Sequence, residues 1–106
     1  MDEMPQRKKS RAHSLSTVKV LAQFAKQPEA SLYGLQIAKN TGIDAGTLYP
    51  ILGRLEQRGL LEGEWETIDP KEKGRGARRY FSLTKKGHSE ADRAITKFKE
   101  DVRTIL

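Results

Sequence analysis

The chain has 106 residues, enough for one small domain and not two. Twenty Lys and Arg against fourteen Asp and Glu give a net charge of +6, which favours an anionic partner such as nucleic acid or a membrane surface. There is no cysteine, which excludes disulfides, zinc ribbons and thiol catalysis. No apolar run approaches the ~20 residues of a membrane span, and the basic start lacks the apolar core of a signal peptide. These features predict an intracellular, cytoplasmic protein.

Residues 1–13 are polar, with Arg7, Lys8, Lys9 and Arg11 close together. They read as a flexible basic arm, either an inert solvated tail or one that touches phosphates. A first helix is predicted from about Leu15 to Ala25, with Leu15, Val18, Leu21, Ala22 and Ala25 on a broad apolar face. Val20 and Phe24 fall on roughly the opposite side. Two apolar faces need two surfaces to cover them, so Val20 and Phe24 are assigned to a partner subunit.

Ser31 is a good N-cap for a second helix, Leu32 to Asn40, which buries Leu35, Ile37 and Ala38 and stops at Gly42. Asp44 caps a third, Ala45 to Arg58, which stops at Gly59. Leu48, Ile51, Leu52 and Leu55 share its core face, although Gly46, Pro50 and Gly53 are poor helix formers. Two short helices around a tight glycine turn suggest a helix-turn-helix, with an ordinary helical hairpin as the bland alternative.

The period then changes to two. Glu62, Glu64 and Glu66 alternate with Leu61, Gly63, Trp65 and Thr67 along a strand. DPKEKGRGA, residues 69–77, reads as a loop rich in Gly and charge. In ARRYFSLT, Arg79, Phe81 and Leu83 share one face of a second strand. The two strands form a hairpin, its acidic strand beside basic residues of the other. Trp65 reads as a packing residue under it, and Arg79 as a partner for a strand Glu. Thr84 caps a last helix reaching nearly the C-terminus. Its stripe of Ala91, Ala94, Ile95, Phe98, Val102 and Ile105 at spacings of three and four is assigned mainly to another chain.

No catalytic constellation is present. His13 and His88, the only histidines, lie in polar settings, and no Ser–His–Asp arrangement is recognisable. KGRG, residues 73–76, lacks the Ser or Thr ending of a phosphate loop and sits at a hairpin tip instead of before a helix. No metal site and no cofactor are predicted.

Helix, helix-turn-helix and hairpin is the winged-helix order, so the fold class is mainly α with a small β-hairpin, followed by a long C-terminal helix. The residues divide into the arm 1–13, a winged-helix DNA-binding domain 14–84 and a dimerisation helix 85–106. In such folds the second helix of the pair enters the major groove while wing cations neutralise phosphates. The groove candidates are Gly46, Thr47, Tyr49, Pro50 and Arg54, with Arg54 suited to guanine. Tyr49 reads equally as a buried ring. Ser31, Tyr33 and Gln36 are phosphate candidates at a helix N-terminus. Lys71, Lys73, Arg75 and Arg78 are the wing candidates.

GTLYPILGRLEQRGLLEGEW, residues 46–65, is similar to the GTLYP-x-L-x-x-LE-x-x-GL signature of the PadR family of bacterial transcriptional regulators. YGLQIA, residues 33–38, resembles its HGYEIA, and RRYFSLTKKG, residues 78–87, its RKYYxLTxxG. The likeness covers residues 15–106 and fits the short branch with one C-terminal helix. It implies a homodimer in which that helix packs on the partner's first helix. It also implies repression through an inverted repeat near a promoter, relieved in many members by a small aromatic or drug-like effector. Tyr33 and Leu35 replace the usual His and Tyr, and Gly76 and Ala77 stand where Arg and Pro are common. The last helix carries no Trp of the kind some short members place beside flat drugs. Two other classes fit the same elements: a phage or plasmid winged helix used in replication or partition, and a protein-interaction module without DNA binding.

Overall fold

The computed structural model describes residues 13–106; the cluster Arg7, Lys8, Lys9 and Arg11 lies outside the described residues. Helix α1, Leu15–Lys26, starts where the Ser14 hydroxyl accepts the Thr17 N–H at 3.1 Å, leaving one fewer orphan donor. Its buried face is Thr17, Val20, Leu21 and Phe24. The partner-facing assignment of Val20 and Phe24 is therefore corrected: they are 0% and 1% exposed and have no surface left for another chain. The helix is apolar over more than half of its circumference, and the phase of its core face is set by what packs on it. Leu15 is its apolar residue left exposed.

Leu32–Tyr33 form a short strand, β1, and helix α2 starts later, at Gly34–Thr41. Ser31 is thus not the N-cap. Tyr33 holds that place, and the Gln36 side chain accepts its backbone N–H at 3.3 Å. The later start turns Leu35 outward, 65% exposed, while Ile37 stays buried. Gly42, at φ +76°, closes α2 in the left-handed region that disfavours a side chain.

Helix α3, Ala45–Gln57, begins at Asp44, whose Oδ1 accepts the Thr47 N–H at 2.9 Å. Leu48, Ile51, Leu52 and Leu55 are buried. Each such side chain contributes about 1.5–3 kcal/mol relative to exposure. Its end is a Schellman turn: Gly59 N–H reaches the Glu56 carbonyl at 3.0 Å and Leu60 N–H the Leu55 carbonyl at 2.9 Å. The hydrophobic contact that accompanies this turn comes from Leu55 and Leu60, both buried.

Strand β2, Leu61–Trp65, pairs antiparallel with β3, Arg79–Leu83, which also pairs with β1. The predicted hairpin is therefore part of a three-stranded sheet in the order β1-β3-β2. Between the strands Pro70–Lys73 form one turn of helix, α4, capped by Asp69 and closed by Gly74 at φ +70°. This replaces the predicted irregular loop.

Helix α5, Lys85–Ile105, is capped by Thr84, which accepts the Gly87 N–H at 2.9 Å and donates to the Gly59 carbonyl at 2.6 Å. Gly87 lies against the Leu60 carbonyl so closely that a Cβ there would collide with it. The start of α5 is thus seated on the end of α3. At 1.5 Å per residue, α5 is about 31 Å long and projects past the core, which its first half meets through Ala91 and Ala94.

Candidate nucleic-acid interface

The face of α3 opposite its buried leucines is smooth and open. Gly46, Pro50 and Gly53 are exposed, and no atom outside the local helix lies within 4 Å of where a Cβ at Gly46 or Gly53 would stand. The helix runs unbroken through Pro50 although that residue has no N–H for the Gly46 carbonyl. Arg54 is exposed and has no carboxylate in ion-pair range among the described residues. Thr47 is partly committed: its hydroxyl, and then its backbone N–H, hold the Asp44 carboxyl below its ordinary value. Tyr49 is neither wholly buried nor free of the core. Its ring edge covers Gly34, where any Cβ would collide with it, and 47% of the residue remains exposed. Gly34 is buried because this ring needs its space.

The wing cations fall into two groups. Arg75 forks onto Glu66 with Nη1–Oε1 at 2.7 Å and Nη2–Oε2 at 3.2 Å, a bidentate pair. The Arg78 backbone N–H adds a bond to the same carboxylate at 3.2 Å. The Arg75 guanidinium above all, with that N–H, holds the Glu66 carboxyl below its usual range. Glu66 in turn raises Arg75. The Arg78 guanidinium lies 4.2 Å above the Tyr33 ring, and Tyr33 meets Tyr80 edge-on at 5.3 Å. Arg78 on Tyr33 thus braces the wing against the start of α2, while Arg75 and Glu66 tie the wing to itself. Lys71 and Lys73 are exposed and free of carboxylate partners among the described residues. Ser31 is exposed, and Gln36 is half-buried with its carbonyl on Tyr33.

Glu62 stands opposite Ser82 and Glu64 opposite Tyr80, so the predicted acidic–basic strand pairing reduces to Glu66. Arg79 pairs with Glu56 of α3 at 2.6 Å instead of with a strand Glu. Trp65 is not packed under the wing; it is 63% exposed, with the Arg79 guanidinium 5.6 Å from its ring. Sequence reasoning missed the Glu56–Arg79 and Glu66–Arg75 pairs, whose partners lie 23 and 9 residues apart.

The family model "Transcriptional regulator PadR-like family" matches residues 20–93, well over half of the chain. The chain belongs to the PadR-like family. It is accordingly a DNA-binding transcription regulator. Among solved structures, the smu.1704 protein of Streptococcus mutans is 27% identical, with a TM-score of 0.72 over 91% of this chain and 89% of its own. A PadR-like transcription factor of Bacteroides fragilis is 26% identical, TM-score 0.67, covering 84% of each chain. Staphylococcus aureus MepR, solved in its DNA-binding conformation, shares the fold at 18% identity and a TM-score of 0.68, over 95% of this chain and 68% of its own. No curated protein matches the sequence.

In this PadR-like chain the apolar stripe of α5 divides. Ala91 and Ala94 are buried in the protomer's own core, which corrects their assignment to a partner. Ile95 and Val102 are half-buried, and Phe98 and Ile105 are exposed. His13 is not a free surface residue either: its Nε2 lies 2.7 Å from Glu90 Oε2, tying the start of α1 to α5. A cleft of about 360 Å³ between α1 and α2 is lined by Gln23, Lys26, Gln27, Leu32, Gln36 and Asn40. Its lining has one apolar side chain and no aromatic ring, so it offers a flat effector nothing to stack on. No described helix is long and apolar enough to cross a membrane.

Proposed function

We propose that this regulator is a repressor that binds an inverted repeat as a homodimer, with α3 in the major groove and the 69–77 wing on the backbone or minor groove. The observation that carries the reading is the Gly46–Pro50–Gly53 face, which is open and lets the backbone approach a duplex closely. Exposed Arg54 is the base reader on that face, able to take guanine bidentately. Thr47 and Tyr49 flank it, and Lys71 and Lys73 supply the free positive charge at the wing. Gln36 sits in the first turn of α2, where backbone amides favour a phosphate, and exposed Ser31 precedes that turn across β1.

The second copy is called for by α5. Ile95, Phe98, Val102 and Ile105, with Leu15 on α1, leave apolar surface uncovered along a helix that projects from its own core. A two-fold dimer through this surface presents two α3 helices to half-sites about 34–36 Å apart. Footprinting on genomic fragments retained by the protein should show two protected half-sites at that spacing, with a dimer by light scattering. Phe98→Asp should give a monomer that binds one half-site weakly. A Phe98→Asp protein that remains dimeric would reject the interface, and an asymmetric single footprint would reject the inverted repeat.

A further inference from the structure

The inner face of the wing ends on an indole that the domain itself does not bury. The register sets Leu61 opposite Leu83, Gly63 opposite Phe81 and Trp65 opposite Arg79, so these six positions share one face of the sheet. That face begins in the core, at buried Leu61 and Leu83, and leaves it at exposed Trp65. Arg79 fills the step between. Its guanidinium lies over Gly63, where a Cβ would collide with it, stands 5.6 Å from the Trp65 ring and bonds Glu56 on α3. Trp65 is thereby linked to α3 through Arg79, while its neighbour Glu66 holds the wing tip through Arg75.

The outer face of the wing carries charge of both signs, with the Arg78 guanidinium over Tyr33 on the same side as Glu62 and Glu64. Glu62 and Glu64 are exposed on the outer face, where they repel phosphates. On the inner side the nearby carboxylate, Glu56, is matched by Arg79. A duplex engaged by α3 and by Lys71 and Lys73 therefore meets the inner face without net repulsion, and Trp65 is the large side chain it meets there.

We propose that Trp65 is a DNA-backbone contact. Its Nε1–H donates to a phosphate oxygen and its ring packs on the adjoining deoxyribose, in the gap between α3 and the wing tip. The Arg79–Glu56 pair is the positioning element that fixes the indole relative to α3. The contact rests on the DNA-binding reading of α3 and the wing, and being made to the backbone it adds affinity without sequence preference.

Trp65 is the chain's only tryptophan, so intrinsic emission reports on it alone. The full chain is titrated with a duplex of about 40 base pairs, long enough for two half-sites one turn apart, taken from genomic DNA that the protein retains. Binding is followed independently by anisotropy of an end-labelled copy. Trp65 emission should change in step with the anisotropy, and the indole should become shielded from acrylamide. Trp65→Ala should lose on the order of a hundredfold in affinity on this duplex and on unrelated DNA alike, the scale of one hydrogen bond to a charged group from each of two subunits. Trp65→Phe should keep the ring contact and recover part of the loss. An indole still open to acrylamide in the complex, or Trp65→Ala at full affinity, overturns the contact and leaves the DNA-binding reading standing. Anisotropy that never rises sinks that reading itself. Should Trp65→Ala fail to fold by circular dichroism, the shielding measurement on the unaltered chain decides.

Discussion

Replacing Lys71 and Lys73 together by Ala isolates what the wing does for DNA. Both ammoniums stand exposed with no carboxylate in range among the described residues, so each is available to neutralise one phosphate. Two contacts per subunit make four in the proposed dimer, and each carries about 0.9 in the slope of log affinity against log salt. The slope should therefore become shallower by roughly 3.6. Between about 50 and 200 mM salt the unaltered protein should lose on the order of a hundredfold more affinity than the variant. Arg75→Ala should behave differently. Arg75 is already forked onto Glu66, so its loss frees an anion as well as removing a cation, and affinity falls through misplacement of the wing. The assay is anisotropy of a labelled duplex over a salt series for all three proteins. An unchanged slope in the double variant would show that the wing tip does not reach phosphates. An equal change in Arg75→Ala would show that the Glu66 brace does not hold Arg75 in solution.

Arg54→Ala should weaken binding by about 1–3 kcal/mol per half-site and relax selectivity at one base position in each, with the thermal midpoint unchanged; gel shifts on single-substituted sites check it. Pro50→Ala restores the amide that can bond the Gly46 carbonyl, so it should keep or raise the melting midpoint while altering affinity. A lowered midpoint would mean the proline is structural. Gly87→Ala pushes a methyl group into the Leu60 carbonyl and should cost about 1–3 kcal/mol. At roughly 4–8 °C per kcal/mol for a chain near this size, the fall is plain in a thermal melt. Glu66 is held below the ordinary glutamate value of 4.5 by Arg75, so its ionised form favours the folded state. That contribution is present above the unfolded value and is lost as pH falls through the lower folded one. The melting difference between the unaltered chain and Glu66→Gln should therefore be constant near neutrality and vanish in acid. A difference that survives below the folded titration would refute the pair.

The central helix was the most legible part of the sequence because its signals agree. Asp44 caps it, Leu48–Ile51–Leu52–Leu55 give its period and Gly59 closes it, all as the spacing predicts. Thr84 and the length of α5 were equally clear. The phase of α1 was not, because Leu15, Val18, Val20, Leu21, Ala22, Phe24 and Ala25 offer more than one apolar face and only the packed partners choose. Strand β1 is two residues long, too short to show a period, and it exists because β3 is there to pair with it. The turn of helix at the wing was readable: Asp69, Pro70 and Gly74 are an N-cap, an N1 proline and a left-handed stop. At the candidate site the exposed face of α3 could be placed from helical geometry alone. The division of the wing cations could not, since it depends on which carboxylate each one meets across the sheet.

The seat of Gly87 on Leu60 has a mechanical meaning. Gly59, Leu60, Thr84 and Gly87 lock the last turn of α3 to the first turn of α5 by two hydrogen bonds to carbonyls, Thr84 N–H on Leu60 and Thr84 hydroxyl on Gly59, with no room for even a methyl group. The two helices therefore move as one bent lever. In the proposed dimer, where the uncovered stripe at its far end joins two copies, a small rotation at the joint would swing each α3 through a larger arc. The half-site spacing that such a pair accepts is set at the joint between the copies, far from any base.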